Sequence, residues 1–120
     1  MPKIKWLDDV DDHDFEAGQT YLVLLYPPGR ARSLKQALKR TRVVRFAAKD
    51  LLRASELKLA SPKDPDVAKQ HKKIAKGQAL SPLLLIRESG HARLIVADGY
   101  HRLCAVHQLD PDELVPCKIA

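Results

Sequence analysis

The first part of the chain shows the hydrophobic spacing of helices. A broad apolar face predicts a first helix over residues 14–26, and the Pro-Pro-Gly sequence at 27–29 is expected to stop it. A short basic helix follows, with Ser33 as its N-cap and an end near Arg40. We therefore interpret residues 1–41 as an N-terminal helical appendage to the rest of the chain.

The next part of the chain alternates between apolar and polar positions and then turns helical. Several β-branched residues lie within 43–46, which predicts a first sheet strand. Two prolines and a weak periodicity over residues 56–65 indicate a loop that crosses the domain. A basic helix is expected at 67–76, and Gly77 is placed to end it. These elements begin a predicted core of residues 42–120.

The apolar runs of the last forty residues predict a hairpin that leads into a helix. Residues 82–87 have the continuous apolar pattern of a strand buried on both faces, and a polar turn at 88–91 separates them from an apolar run at 92–97. Helical spacing begins after Gly99, so the second strand is expected to pass directly into a helix. A last strand at 114–119 closes the sheet, near an edge because its internal proline has no N–H donor. The predicted fold class is α+β, with a small mixed sheet and flanking helices.

The formal charge of +6 is unevenly distributed along the 120 residues. Six acids lie between residues 8 and 16, whereas residues 17–49 contain eight bases and no acid. Two interpretations of the basic run stay open: a solvated helix face, or a surface that contacts the phosphates of nucleic acid. The bases that would contact nucleic acid are Arg30, Arg32, Lys35, Lys39, Arg40 and Arg42.

Composition limits the class of protein. No apolar run approaches the length of a membrane span, and the acidic start is unlike a secretory signal, so we expect a cytoplasmic protein with no membrane partner. Cys104 and Cys117 lack the Cys-x-x-Cys spacing of a metal or redox site and are expected to be reduced. With 45% hydrophobic residues, the chain is long enough for one domain with one core.

The side chains best suited to catalysis or ligand binding are concentrated in residues 97–105, Ala-Asp-Gly-Tyr-His-Arg-Leu-Cys-Ala. The free N–H groups and positive dipole end at the start of a helix attract anions, and Gly99 would let an anion approach the backbone. Arg102 adds a forked, permanently charged donor. The alternative for Arg102 is an ion pair with Asp98 or Asp110. Asp98 itself is either the N-cap of the helix or a ligand of Mg²⁺.

Residues 98–105, together with the order of elements over 43–119, resemble the Gly-x-x-Arg-x-x-Ala phosphate motif of the ParB/sulfiredoxin-like superfamily. The resemblance implies a nucleoside triphosphate ligand, CTP or ATP, with Mg²⁺ held by Asp98. Sulfiredoxins need a cysteine directly before the His-Arg pair, where this chain has Tyr100, so sulfinic-acid reduction is not expected. The residues that the resemblance places around the phosphates are Gly99, Tyr100, His101 and Arg102.

Three functions stay open from the sequence. The first is a nucleotide-binding, ParB-like single-domain protein that acts as a regulator or as a slow nucleotide hydrolase. The second is a small-molecule kinase similar to free-serine kinases, in which Glu56 or Asp98 orients the acceptor hydroxyl and His101 binds phosphate or shuttles a proton. The third is a DNA-binding, partition-like accessory protein. A homodimer and a monomer are both compatible with the sequence.

Overall fold

The computed structural model describes residues 3–87 and 93–120, so the predicted turn at 88–91 lies outside the described residues. The described parts form five helices and a four-stranded mixed sheet, which confirms the predicted α+β class. The elements in chain order are α1 (Asp12–Leu22), α2 (Pro28–Arg40), β1 (Val44–Ala47), α3 (Ala48–Ser55), α4 (Pro65–Ala75), β2 (Leu83–Arg87), β3 (Leu94–Asp98), α5 (Tyr100–Leu109) and β4 (Leu114–Ile119). Within these ranges, every helix is too short or too polar to cross a membrane.

The strands lie in the order β1-β4-β2-β3. β2 and β3 pair antiparallel, which confirms the predicted hairpin, whereas β2 and β4 pair parallel. The prediction that the closing strand lies near an edge is wrong, because β4 lies between β1 and β2. Pro116 faces Arg45 of β1, and the ladder from β4 to β2 begins only at Cys117. The proline thus lies within the β1–β4 ladder and one residue before the β2–β4 ladder.

β2 is the centre of the hydrophobic core. Alternate residues of a strand point to opposite faces, and Leu83 and Leu85 belong to a buried cluster that includes residues of α3, α4 and α5. Leu84 and Ile86 belong to a second cluster, formed with α1 and α2. All four side chains are at most 1% exposed, which confirms a strand buried on both faces.

Residues 12–40 contain the two helices, α1 and α2, that cover one face of the sheet. Phe15 and Leu22 of α1 and Leu34 and Leu38 of α2 are buried in the second cluster. Helix α1 approaches the sheet closely at Gly18, where an added Cβ would lie 3.3 Å from Cδ1 of Leu84. Residues 12–40 are thus part of the packing around β2 and shield one face of it from water.

Both N-terminal helices have boundaries that differ from the predicted ones. Helix α1 starts at Asp12 and is capped by Asp11, whose carboxylate accepts the N–H of His13 at 2.9 Å. Helix α2 begins at Pro28, so the prediction of a short helix capped by Ser33 is wrong. Proline is favoured in the first helical turn, because its φ angle suits the helix and its missing N–H needs no acceptor there. The Pro-Pro-Gly sequence therefore separates two helices and also starts the second.

Candidate functional site

At the β3–α5 junction the strand passes through Gly99 directly into the helix, as the sequence predicted. Gly99 has a φ of 108°, a left-handed conformation that favours glycine, and α5 begins at the next residue. No side chain of the described residues caps this helix. The first N–H groups of a helix have no acceptor within the helix, so those of Tyr100 and His101 remain available to a ligand.

The requirement for glycine at position 99 has a packing reason. A Cβ added there would lie 2.7 Å from Cγ of Leu83 and 2.9 Å from Nη2 of Arg102. Both distances are shorter than ordinary van der Waals contacts. The space that a side chain would need is therefore occupied by the protein itself, and glycine allows the junction to pack against β2.

Arg102 lies at the centre of a cluster of charges. Its Nη2 donates to Oδ2 of Asp98 at 3.1 Å, to Oδ2 of Asp14 at 3.2 Å and to the carbonyl of Pro82 at 3.4 Å. The three charged side chains are only 14–20% exposed. Of the two ion pairs considered from the sequence, the one with Asp98 is present and joins β3 to α5. Asp14, 88 positions away on α1, is the partner that sequence reasoning missed.

The cluster contains two carboxylates and one guanidinium, so Arg102 is fully neutralised by its own neighbours. Burial raises the pKa of Asp98, Arg102 opposes that rise, and the nearby Asp14 adds to it. The carboxylate of Asp98 is committed to Arg102 and does not cap α5. Because Asp98 and Arg102 are paired with each other, this arrangement adds no support to the expected Mg²⁺ at Asp98 or to direct contact of Arg102 with phosphate.

Tyr100 attaches the loop before α4 to the start of α5. Its hydroxyl donates to the carbonyl oxygen of Lys58. Burial, together with the neighbouring Cys104, raises the pKa of Tyr100 to about 12, so the hydroxyl keeps its proton and stays a donor. The side chain of Tyr100 is therefore hydrogen-bonded to the loop, and its backbone N–H is the group that a phosphate could contact.

Two neighbouring cavities line the outer edge of β3. One, of about 340 Å³, opens at the start of α5, where Gly99 and His101 contribute to its wall. The other, of about 260 Å³, continues along β3. Tyr21 of α1, Leu57 of the loop after α3, and Val96 of β3 line both of them. We call this continuous depression the β3 groove; it joins an apolar surface to the uncapped end of a helix.

The other predicted site residues are not among those that line the groove, although Glu56 lies in the chain between two that do, Ser55 and Leu57. Glu56 ends α3 in a left-handed conformation with a φ of 57° and is exposed; it is not among the groove-lining residues. On α2, Lys35 pairs with Glu16 at 3.1 Å, and the ammonium of Lys39 lies 5.6 Å from the ring centroid of Phe15. Five of the six predicted nucleic-acid contacts are exposed, namely Arg30, Arg32, Lys39, Arg40 and Arg42.

His101 lies between the groove and the start of α4. Its Nε2 is 3.9 Å from Oδ2 of Asp66, and Asp64 is close to both. Asp98, the Mg²⁺ ligand expected from the sequence, is not part of this group of potential metal ligands. The sequence signal was an acid-rich helix start, Asp64-Pro-Asp66, but nothing local pointed to His101 as its neighbour.

Comparisons with protein-family models, with curated proteins and with solved structures found no match to this chain. The resemblance to the ParB/sulfiredoxin-like superfamily therefore stays a prediction based on residues 98–105 and on the order of elements.

Proposed function

We propose that the protein binds a nucleotide, with its phosphates at the uncapped start of α5 and its base and ribose in the β3 groove. The observation that carries this proposal is the junction of an apolar depression with free helix N–H groups at Tyr100 and His101. Such a helix start stabilises negative charge through its N–H groups and its dipole. Ligand pockets typically combine a mostly apolar wall with a few oriented polar groups.

Arg102 has an indirect role in this proposal. Asp98 lines the groove, and an uncompensated carboxylate there would repel a phosphate. Its ion pair with Arg102 offsets part of that charge, because Asp14 shares the same guanidinium, and links the end of β3 to α5. Arg102 is thus a positioning residue, although the resemblance implied direct contact with phosphate. The proposal is limited to binding, since Glu56, the expected base of a kinase, does not line the groove.

Leu57 and Leu59 offer a matched pair of variants for the test. They lie in the same loop with side chains 40% and 41% exposed, but only Leu57 lines the groove. Leu57→Glu places a negative charge in the proposed ligand path. Leu59→Glu makes the same chemical change outside it.

The measurement is isothermal titration of the full chain with CTP, ATP, GTP and inorganic tripolyphosphate, with and without Mg²⁺. We expect one nucleotide to bind, at least tenfold weaker binding for Leu57→Glu, and binding within twofold of the original for Leu59→Glu. Absence of binding by every nucleotide, or equal weakening by both variants, would refute the proposal.

A second candidate function, nucleic-acid binding, is favoured by a specific surface of α4. Four lysines follow one helix face at positions i, i+3, i+4 and i+7, and none of them forms an ion pair within the described residues. Lys5 adds a fifth ammonium beside Gly77, at the end of this helix. The lysines are Lys69, Lys72 and Lys73 of α4 and Lys76, the C-cap residue of that helix.

This α4 surface is more coherent than the predicted basic surface of α2, where Lys35 is paired with an acid. Its test compares two quadruple variants that remove the same charge. Replacing the four α4 lysines by glutamine should weaken binding to duplex DNA and lower the salt dependence by about one unit of slope for each phosphate that is no longer neutralised. Replacing Arg30, Arg32, Arg40 and Arg42 by glutamine is the control. If the control variant has the larger effect, the surface lies on α2, as the sequence suggested.

A further inference from the structure

We propose that Asp64, Asp66 and His101 form a binding site for a divalent first-row metal ion at the edge of the β3 groove. One ligand atom from each side chain lies within 4.8 Å of the others. The carboxylates come from the start of α4 and the imidazole from the first turn of α5, two helices that pack against each other. The site thus depends on the tertiary contact between them.

The carboxylate of Asp64 is already oriented by the fold. Its Oδ1 accepts the N–H of Asp66 at 2.9 Å and the N–H of Val67 at 3.2 Å, as the N-cap of α4. This leaves Oδ2 outside the cap and holds the whole carboxylate in place. Outer hydrogen bonds of this kind reduce the freedom that a metal ligand loses on binding.

The balance of charge at this place favours a cation. The starts of α4 and α5 contribute roughly +0.5 of an elementary charge each, which together offset about one carboxylate. Asp64 and Asp66 carry two negative charges, and a neutral His101 adds none. A net negative charge therefore remains for the cation, and no lysine or arginine of the described residues pairs with these carboxylates.

The distances require only small side-chain movements. Oxygen and nitrogen ligands bond to such ions at about 2.0–2.2 Å, so ligand atoms around one ion lie about 3–3.5 Å apart. Nε2 of His101 and Oδ2 of Asp66, now 3.9 Å apart, need to approach by less than about 1 Å, and the upper limit of 4.8 Å between any two of the ligand atoms closes by less than about 2 Å. Both side chains are partly exposed, with His101 42% and Asp66 71% accessible, and the His101 ring packs edge-on against Tyr100.

The donor set indicates which ions the site prefers. One imidazole and two carboxylates suit Mn²⁺, Co²⁺ and Zn²⁺, whereas Mg²⁺ and Ca²⁺ prefer oxygen ligands alone. Three protein ligands leave coordination positions open, as in metal sites that bind a further ligand. Since His101 also lines the β3 groove, those positions lie next to it. The inference concerns metal binding alone and does not require a nucleotide.

The test is isothermal titration of the full chain with Mn²⁺, Co²⁺, Zn²⁺, Mg²⁺ and Ca²⁺ in the absence of nucleotide. We expect one tight site per chain, with Co²⁺ and Zn²⁺ bound at least tenfold more tightly than Mg²⁺. Asp66→Asn and His101→Asn should each weaken Co²⁺ binding at least tenfold. Asp64→Asn is a third variant that keeps an N-cap side chain, so its loss of affinity can be separated from unfolding by circular dichroism.

The matched control is the double variant Asp12→Asn, His13→Asn, which removes the same residue types from the acid-rich segment around α1. It should leave Co²⁺ affinity within twofold of the original. The proposal is overturned if no ion binds, if binding survives Asp66→Asn and His101→Asn, or if the control variant loses it equally. Tighter binding of Mg²⁺ than of Co²⁺ would also overturn it, because imidazole would then not be a ligand.

Discussion

The guanidinium of Arg102 on α5 and the carboxylate of Asp14 on α1 are 3.2 Å apart, although 88 positions separate them in the chain. This contact joins the two sides of the molecule, because α1 covers one face of the sheet and α5 the other. Asp98, on the edge strand between them, shares the same Nη2 atom at 3.1 Å. The resulting cluster holds the β3–α5 junction, where the proposed ligand site lies.

Removing the cation from this cluster should destabilise the fold strongly. Arg102→Met leaves two largely buried carboxylates without a counter-ion, and we expect the free energy of unfolding to fall by about 3–5 kcal/mol. The triple variant that adds Asp14→Asn and Asp98→Asn should recover part of the loss, since it removes the stranded charges. Urea denaturation monitored by circular dichroism measures all three proteins.

Arg53 provides the control for that experiment. Its guanidinium pairs with Asp50 at 3.5 Å, but its side chain is 85% exposed. Exposed pairs contribute little, so Arg53→Met should change the free energy of unfolding by less than about 1 kcal/mol. A similar cost for both substitutions would contradict a special role for the buried cluster.

Gly99→Ala should destabilise the protein, whereas Gly29→Ala should not. At Gly99 the φ of 108° and the 2.7 Å approach to Leu83 predict a loss of about 2–4 kcal/mol. At Gly29, in the first turn of α2, an added Cβ would meet nothing within 4 Å. Alanine there should stabilise the protein by about 0.4–1 kcal/mol, because it restricts the unfolded chain. Thermal unfolding of the two variants compares them directly.

Both cysteines should resist alkylation while the protein is folded. Cys104 and Cys117 are fully buried, and burial raises the pKa of Cys117 to about 11. At pH 8 only about one Cys117 thiol in a thousand would be ionised, even before access is considered. Iodoacetamide followed by mass spectrometry should label neither cysteine in buffer and both in denaturant. Rapid labelling of Cys117 in buffer would contradict its burial.

The pH dependence of stability should change in Asp98→Asn. The pKa of Asp98 is raised in the folded state, so between that raised pKa and the ordinary value of 3.8 the folded chain binds more protons than the unfolded chain. On this account, stability contributed by Asp98 is lost as pH rises through the raised pKa and is regained on acidification.

The measurement is the free energy of unfolding of the original and Asp98→Asn proteins from pH 7 to pH 4. Asparagine keeps an oxygen that can accept from Arg102, and Asp14 still supplies the counter-charge. As pH falls through this window, the free energy of unfolding of the original protein should rise relative to that of Asp98→Asn. A difference that stays constant, or that shifts toward the variant, would contradict a raised pKa for Asp98.

Local hydrophobic patterns were sufficient to predict the elements around the candidate site. The continuous apolar run of β2, its pairing with β3 and the start of α5 after Gly99 depend on neighbouring residues, and all three are present. The helix boundaries of α1 and α2 were less predictable. Proline can end a helix or can be its first residue. The burial of Ala31, Leu34 and Leu38 on one face of α2 decides for the second role at Pro28.

The sequence by itself determined a glycine junction between a strand and a helix, an element order typical of an α+β sheet, and a chain with an excess of positive charge. Tertiary structure decided what those features contact. It placed β4 inside the sheet, gave Arg102 its partner Asp14, and brought His101 beside Asp66. The physical reason is that such contacts depend on how helices pack on the two faces of β2, and residues distant in sequence carry no local signal of that packing.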